Sequence, residues 1–430
     1  MRFINSLKLQ FCAVLTVVAG DSLATQHIIL ANDGKAEDYF GYSADIDGAT
    51  LIVGAHKADI NGVKDAGVAY VYVLGDRGWY QQAKLVADPI FTDDTLGGKV
   101  ALKNNVAMLG GMRRDDKGED AGAVVSFERV ANTWTQKQIF TAPDAMPGDA
   151  FGQSVALTDN YLVIGAPNSD ALGVDSGAAY IYQRENGIWR YQSKITASDG
   201  AAGDLFGISV AIDGNTILVG ADLHDEKAEN AGAVYVYVVQ NNQWQQQAKL
   251  VASDGGKTDI FGVRAAISGD TALISARRDD IDELGVDAGS AYLFVREGDA
   301  WTQEVKLISP DGAADDRFGR GVALSGDTAI ISAMNHDANG TDTGALYVYK
   351  KGPHGWRYTS KVVAENAKSG DQFGWNVALS KGVAVIATPH HDANGQQSGA
   401  IYVQDLNSDS ASGIQNPVVS RLEQSDKSAQ

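Results

Sequence analysis

The residues of this 430-residue chain that could do chemistry come in sevens. Asp38, Asp94, Asp149, Asp204, Asp259, Asp316 and Asp371 each stand two residues before a Phe or Leu that is followed by Gly. A second set, Asp59, Asp115, Asp170, Asp225, Asp280, Asp337 and Asp392, stands five residues after the first member of a pair of small residues. Carboxylates crowded on one face suit a cation. A ligand site rarely demands seven copies, however, whereas a repeated loop does, so the first expectation is that each Asp caps its own loop by accepting backbone N–H groups. His224, His336 and His391 each precede a member of the second set, and imidazole beside carboxylate is a donor set for transition metals. The three sit in different units and a fourth unit places Asp279 at that position, so they are expected to be exposed loop histidines. Arg113-Arg114 and Arg277-Arg278 fall in the corresponding loops of two further units. They can read an anionic sugar or pair with neighbouring Asp, and solvated pairing is the plainer expectation. With His56 and Lys57 these are the residues that vary between units while the frame stays constant.

The frame is a repeat. Phe40-Gly41, Leu96-Gly97, Phe151-Gly152, Phe206-Gly207, Phe261-Gly262, Phe318-Gly319 and Phe373-Gly374 recur at steps of 55 to 57 residues. Fourteen positions after each comes the small pair, from Gly54-Ala55 to Ala387-Thr388. Further on, a Gly opens a β-rich run in every unit, such as Gly67-Val68-Ala69-Tyr70, and in six units a Trp follows that Gly by twelve residues. Within unit four the pattern predicts strands over 209–212, 216–219, 233–238 and 244–252, with Asp213-Gly214-Asn215 as a tight turn between the first two. Gly, Asn and Asp tolerate the positive φ such a hairpin needs. Four strands per unit, with no sustained helical period, predict an all-β propeller with seven four-stranded blades.

The seventh unit lacks its fourth strand, ending near Ile401-Tyr402-Val403, while Ile29-Leu30-Ala31-Asn32-Asp33-Gly34 near the N-terminus aligns with Leu250-Val251-Ala252-Ser253-Asp254-Gly255. The N-terminal strand should therefore complete the last blade, because closing the ring pairs edges that would otherwise template aggregation. Residues 1–24 read as an export signal: Arg2 and Lys8, an apolar run from Phe11 to Ala19 too short to span a bilayer, then Ser22-Leu23-Ala24 at a cleavage site. Residues 25–406 form the propeller, and the polar segment 407–430 is expected to be a disordered tail.

Charge and composition narrow the function. With 35 basic and 54 acidic residues the formal net charge is −19, which disfavours nucleic acid or anionic membrane as partner. The one cysteine, Cys12, lies in the signal segment, leaving neither disulfide nor cysteine-based zinc site in the exported chain. A Gly20-Asp21-Ser22-Leu23 match to an esterase signature falls in the same segment and is set aside, since a nucleophile needs a positioned base.

Phe151-Gly152 followed by Gly165-Ala166-Pro167 resembles the FG-GAP repeat, found in integrin α-subunit propellers and in many exported bacterial proteins, and the likeness runs from residue 26 to 404. The resemblance implies the propeller fold. Calcium-binding members carry an Asp-x-Asp-x-Asp-Gly loop in the first hairpin, whereas here that hairpin is only Thr158-Asp159-Asn160 or Ser325-Gly326-Asp327, so no calcium site, other metal or cofactor is carried over. First strands should line a central channel with Ser43, Lys99, Ser154, Ser209, Arg264, Gly321 and Asn376, where Lys99 and Arg264 make a basic spot in an otherwise neutral lining. The repeated Trp residues should pack outer strands between blades. The expected function is that of an exported, monomeric, non-catalytic binding or adhesion module presenting its loop-rich face to a protein or glycan. A secreted lyase or hydrolase using the same face, or a purely structural surface module, is the alternative.

Overall fold

The computed structural model describes residues 26–407; the signal segment and the tail beyond 407 lie outside the described residues. These form 28 strands in seven antiparallel four-stranded sheets, and among them no helix occurs. Unit four folds as Ser209–Asp213, Thr216–Ala221, Ala233–Gln240 and Gln243–Leu250, within a residue or two of the sequence expectation. In the last blade, His27–Ile29 pairs antiparallel with Ala400–Asp405, so the N-terminus closes the ring.

Alternating strands bury a row of side chains on each face of every blade, and the hydrophobic core is accordingly divided into seven clusters, one at each junction between neighbouring blades. The repeat motif is the junction itself. A Cβ on Gly165 of blade 3 would lie 2.0 Å from the Gly207 carbonyl oxygen of blade 4, closer than any side chain tolerates. The backbone pair Gly177↔Phe206 likewise crosses from blade 3 to blade 4, and Gly177 needs both its positive φ of 83° and its missing side chain there. Phe206 is fully buried against Tyr235, ring edge to ring face at 5.5 Å.

A hydroxyl staple adds to this contact. On the first strands of blades 1, 3 and 4, Ser43, Ser154 and Ser209 donate to the carbonyl oxygens of Gly97, Gly207 and Gly262 in the next blade, at 2.7, 2.7 and 2.6 Å. Blade 6 reverses the pair: Gly321 is on the first strand, and Ser332 on the second donates to Gly374 O at 2.6 Å. Outer strands are tied by the repeated Trp residues. Trp134, Trp244 and Trp301 donate from Nε1 to Gln82, Gln192 and Gln247 of the preceding blade at 2.9 to 3.0 Å.

Candidate functional site

Both Asp sets act on their own loops. Members of the first accept a backbone N–H three residues upstream, from Lys35 N to Asp38 through Lys368 N to Asp371, at 2.6 to 2.9 Å. Members of the second, Asp59, Asp115, Asp170, Asp225, Asp280, Asp337 and Asp392, each accept an N–H five to seven residues downstream at 2.7 to 3.0 Å.

The loop histidines differ from the sequence expectation. His224, His336 and His391 are buried, not exposed, with Nδ1 at 2.9, 2.8 and 2.9 Å from Asp204, Asp316 and Asp371. The cause is local: four residues past the start of the small pair the side chain turns inward, beneath the loop, where the first Asp set needs a partner. Arg114 holds the same position in blade 2. It too is fully buried rather than solvated, bonding Asp94 at 2.9 Å, Asp116 at 2.5 Å and the Pro89 carbonyl at 3.2 Å. In five blades a Tyr and a Lys converge on a further Asp: Tyr70 and Lys84 on Asp33, Tyr180 and Lys194 on Asp144, Tyr235 and Lys249 on Asp199, Tyr292 and Lys306 on Asp254, Tyr347 and Lys361 on Asp311. Burial alone would raise these carboxyls, but the Lys and Tyr hydrogen bonds hold all five below the usual range. Blade 2 has Val125 and Ile139 where those five blades have that Tyr and Lys, and there the buried cation is Arg114, paired with Asp94 and Asp116. Asp199, His224 and Glu226 are close enough together to hold a metal ion. The Lys249 ammonium contacts all three, at 2.7 Å from Asp199 and 2.8 Å from His224 Nε2, and already stands where a cation would.

The channel is organised differently. Where it opens on the loop face there is a cavity of about 290 Å³. Lys99 of blade 2, Arg264 of blade 5 and Arg320 of blade 6 line it, with Lys57 and Arg113 at its edge. Among the described residues lining it there is no Asp or Glu. Tyr42 and Trp375 form one side, with His56 packed on Tyr42 at 3.8 Å between ring centroids and the Arg320 guanidinium 4.0 Å from the Trp375 ring centroid. Burial, reinforced by the charges of Arg264 and Arg320, pushes Lys99 down to about 8, and burial with Arg264 and Arg277 acts against the charge of Arg320. His56 is pushed down to about 3 by burial and by Lys57 and Arg113. The nearest acids are Asp45 and Asp222, both raised to about 6 by burial. Asp45 accepts the N–H groups of Leu102 and Ile46 at 2.7 and 2.8 Å, and neither acid forms an ion pair with Lys99, Arg264 or Arg320 among the described residues. Arg264 donates one bond, to Val263 O at 2.8 Å, and its Nε has no partner.

A model of the FG-GAP repeat matches residues 24–72, 79–125, 134–182, 189–237, 244–294, 301–349 and 356–404, more than half of the chain. The chain belongs to the FG-GAP repeat family. No curated protein matches it. Among solved structures, it is similar to the crystal structure of Sqt1 from Saccharomyces cerevisiae, with 10% identity, a TM-score of 0.48, and coverage of 87% of this chain and 98% of that one.

Of the candidate binding residues, the FG-GAP propeller brings His56, Lys57 and Arg113 to the cavity. Arg277 and Arg278 are not among its lining residues: Arg277 is half-buried and pushed down to about 10 by burial and by Arg264, Arg278 and Arg317, while Arg278 is exposed. His224, His336, His391 and Arg114 belong to the loop scaffold instead. Arg320 is the residue that sequence reasoning missed, and it corrects the expectation of an otherwise neutral lining. Strand alternation pointed to Gly321, yet the positions just before it also reach the channel mouth. Across the seven units that column reads Tyr42, Gly98, Gln153, Ile208, Val263, Arg320 and Trp375. No two are alike, and in so regular a repeat that is the signal that could have found it.

Proposed function

We propose that this FG-GAP propeller is an exported, non-catalytic binding module that presents the channel mouth on its loop-rich face to a protein or glycan. One observation carries the reading: in a chain of net charge −19, five cations line one cavity and no carboxylate among the described lining residues opposes them. A guanidinium does not give up its proton at neutral pH. Holding a buried Arg320 and a half-buried Arg264 beside the half-buried Lys99 ammonium therefore costs about a few kcal/mol until an anion offsets it. Blades 2 and 5 also give up the Ser staple that blades 1, 3 and 4 keep at this position. Giving up stability twice to gather charge is what a binding site requires and a structural plug does not. A two-carboxylate hydrolase is poorly supported by such a lining. No helix among the described residues is long and apolar enough to cross a membrane, and export rests on the Arg2 to Ala24 segment.

The test is a glycan-array and surface-protein binding screen of the exported chain, run with calcium and with chelator. Binding that survives chelation and drops in Arg113→Ala is the expected result. Calcium-dependent binding would instead make the loop Asp rings ligands, and turnover of any glycan would overturn the non-catalytic reading.

A further inference from the structure

The channel cavity shows which chemistry it would accept. Lys99, Arg264 and Arg320 approach from three blades with no carboxylate among the described lining residues and no ion pair among the described residues, although Asp45 and Asp222 behind the lining attract Lys99 and Arg264. Their like charges repel one another, and with burial as the larger cause Arg264 and Arg320 both lower Lys99. A bound anion removes that repulsion and gains charge-assisted hydrogen bonds in a site of low dielectric. The remaining lining is uncharged but hydrogen-bonding. Gln153, Asn376, Tyr42 and Trp375 line the cavity, Asn376 with its Oδ1 already accepting the Ala44 N–H at 2.9 Å, and Thr95 Oγ1 is buried without a partner. An inorganic anion uses only the cations. A ligand carrying one carboxylate on a small hydroxylated ring uses the cations, the amides and the aromatic wall together. The volume, about 290 Å³, is at the small end of the range of roughly 300–1,000 Å³ for ligand pockets. It admits a single sugar unit.

We propose that the channel mouth is a binding site for an acidic sugar, a uronate-type unit whose carboxylate sits among Lys99, Arg264 and Arg320 and whose ring lies toward Tyr42 and Trp375. This rests on the binding reading above and narrows it. Arg264 and Lys99 face each other from blades 5 and 2, so the carboxylate is held from opposite walls. The Gln153 amide and the Asn376 side-chain N–H groups then read hydroxyl groups, which separates an acidic sugar from an acidic peptide side chain.

The experiment is isothermal titration of the full exported chain with four probes: glucuronate or galacturonate, the matching neutral sugar, inorganic phosphate, and a blocked aspartate. The expected result is uronate binding at about millimolar affinity or tighter, at least about tenfold above the other three. It should weaken about tenfold or more in Lys99→Met and in Arg264→Met. The melting temperature of both variants, read alongside, should be unchanged or raised, which shows that the fold survives and that the loss is the ligand's. Equal binding of phosphate and uronate would reduce the site to a simple anion hole, and preference for blocked aspartate would reassign it to a peptide; either overturns the proposal. Equal binding of the neutral sugar does so as well. If the array screen finds ligands whose binding is indifferent to Lys99→Met, the face-binding reading stands and the acidic-sugar site falls. If uronate binds as expected but is converted to an unsaturated product, the site stands and the non-catalytic reading falls.

Discussion

The loop scaffold and the channel mouth are built from the same residue types and reach opposite electrostatic outcomes. Under the loops the repeated Asp residues are all bonded within the protein, several by a basic side chain: Asp204 with His224, Asp94 with Arg114, Asp199 with Lys249. At the channel mouth Lys99, Arg264 and Arg320 form no ion pair among the described residues, and Arg264 and Arg320 meet only the Val263 carbonyl and the Trp375 ring. Paired charge recurring blade after blade is architecture, because each pair resolves a local burial problem. Unpaired charge in particular blades is a cost the fold does not need, and under the binding reading proposed above an external anion would offset it. The residue types that first suggest chemistry, two Asp in every unit and a His beside one of them in three units, thus hold loops in place. Two substitutions in the staple column and one in the column beside it make the cavity.

Breaking the paired side should produce the largest effect. Arg114→Ala leaves Asp94, already raised to about 6 by burial, as a buried carboxylate without its cation. A loss of about 3–5 kcal/mol is expected, measured by urea denaturation, and an unchanged midpoint would show that the blade 2 loop does not depend on the pair. Next comes the backbone contact between blades. Gly165→Ala puts a Cβ 2.0 Å from the Gly207 carbonyl, so blades 3 and 4 must separate locally, at about 2–3 kcal/mol.

The channel should respond with the opposite sign. Lys99→Met is expected to stabilise the unliganded protein by about 1–2 kcal/mol, since it removes a buried charge repelled by two guanidinium groups. The pH dependence follows from the same group. Its folded-state value of about 8 lies below the ordinary 10.5, so between those pH values the unfolded chain carries a proton that the folded chain has released. Stability should therefore rise with pH from about 8 to 10.5. Below about pH 8 the burial penalty is present in full. Melting curves of wild type and Lys99→Met across this window should converge toward its upper end, and parallel curves would mean that Lys99 is solvated. The smallest effect belongs to the staple: Ser209→Ala removes one hydroxyl bond to Gly262 O and should cost about 1 kcal/mol. If it cost nothing, the sacrifice attributed to blades 2 and 5 would lose its meaning.

The fold was legible because the chain states it seven times. Phe206-Gly207, Gly220-Ala221 and Gly232 each answer a steric demand at a blade junction, and a demand repeated at constant spacing is visible without coordinates. The N-terminal closing strand was legible for the same reason, as Asp33 repeats Asp254. Half of the site was legible too. Lys99 and Arg264 interrupt a column of small polar residues, while His56, Lys57 and Arg113 mark the loops that reach the cavity.

What the sequence determined by itself is the local and periodic part: strand, turn, blade and ring, all set by residue size and spacing along one unit. What the tertiary structure decided is which charges meet. Asp94 finds Arg114 twenty residues away, whereas Arg264 and Lys99, 165 residues apart in sequence, face each other across a channel that exists only once the ring has closed. Whether a buried charge is paired depends on every element packed around it. A repeat read one unit at a time shows that a cation stands in a column, but only the closed ring places it opposite another cation.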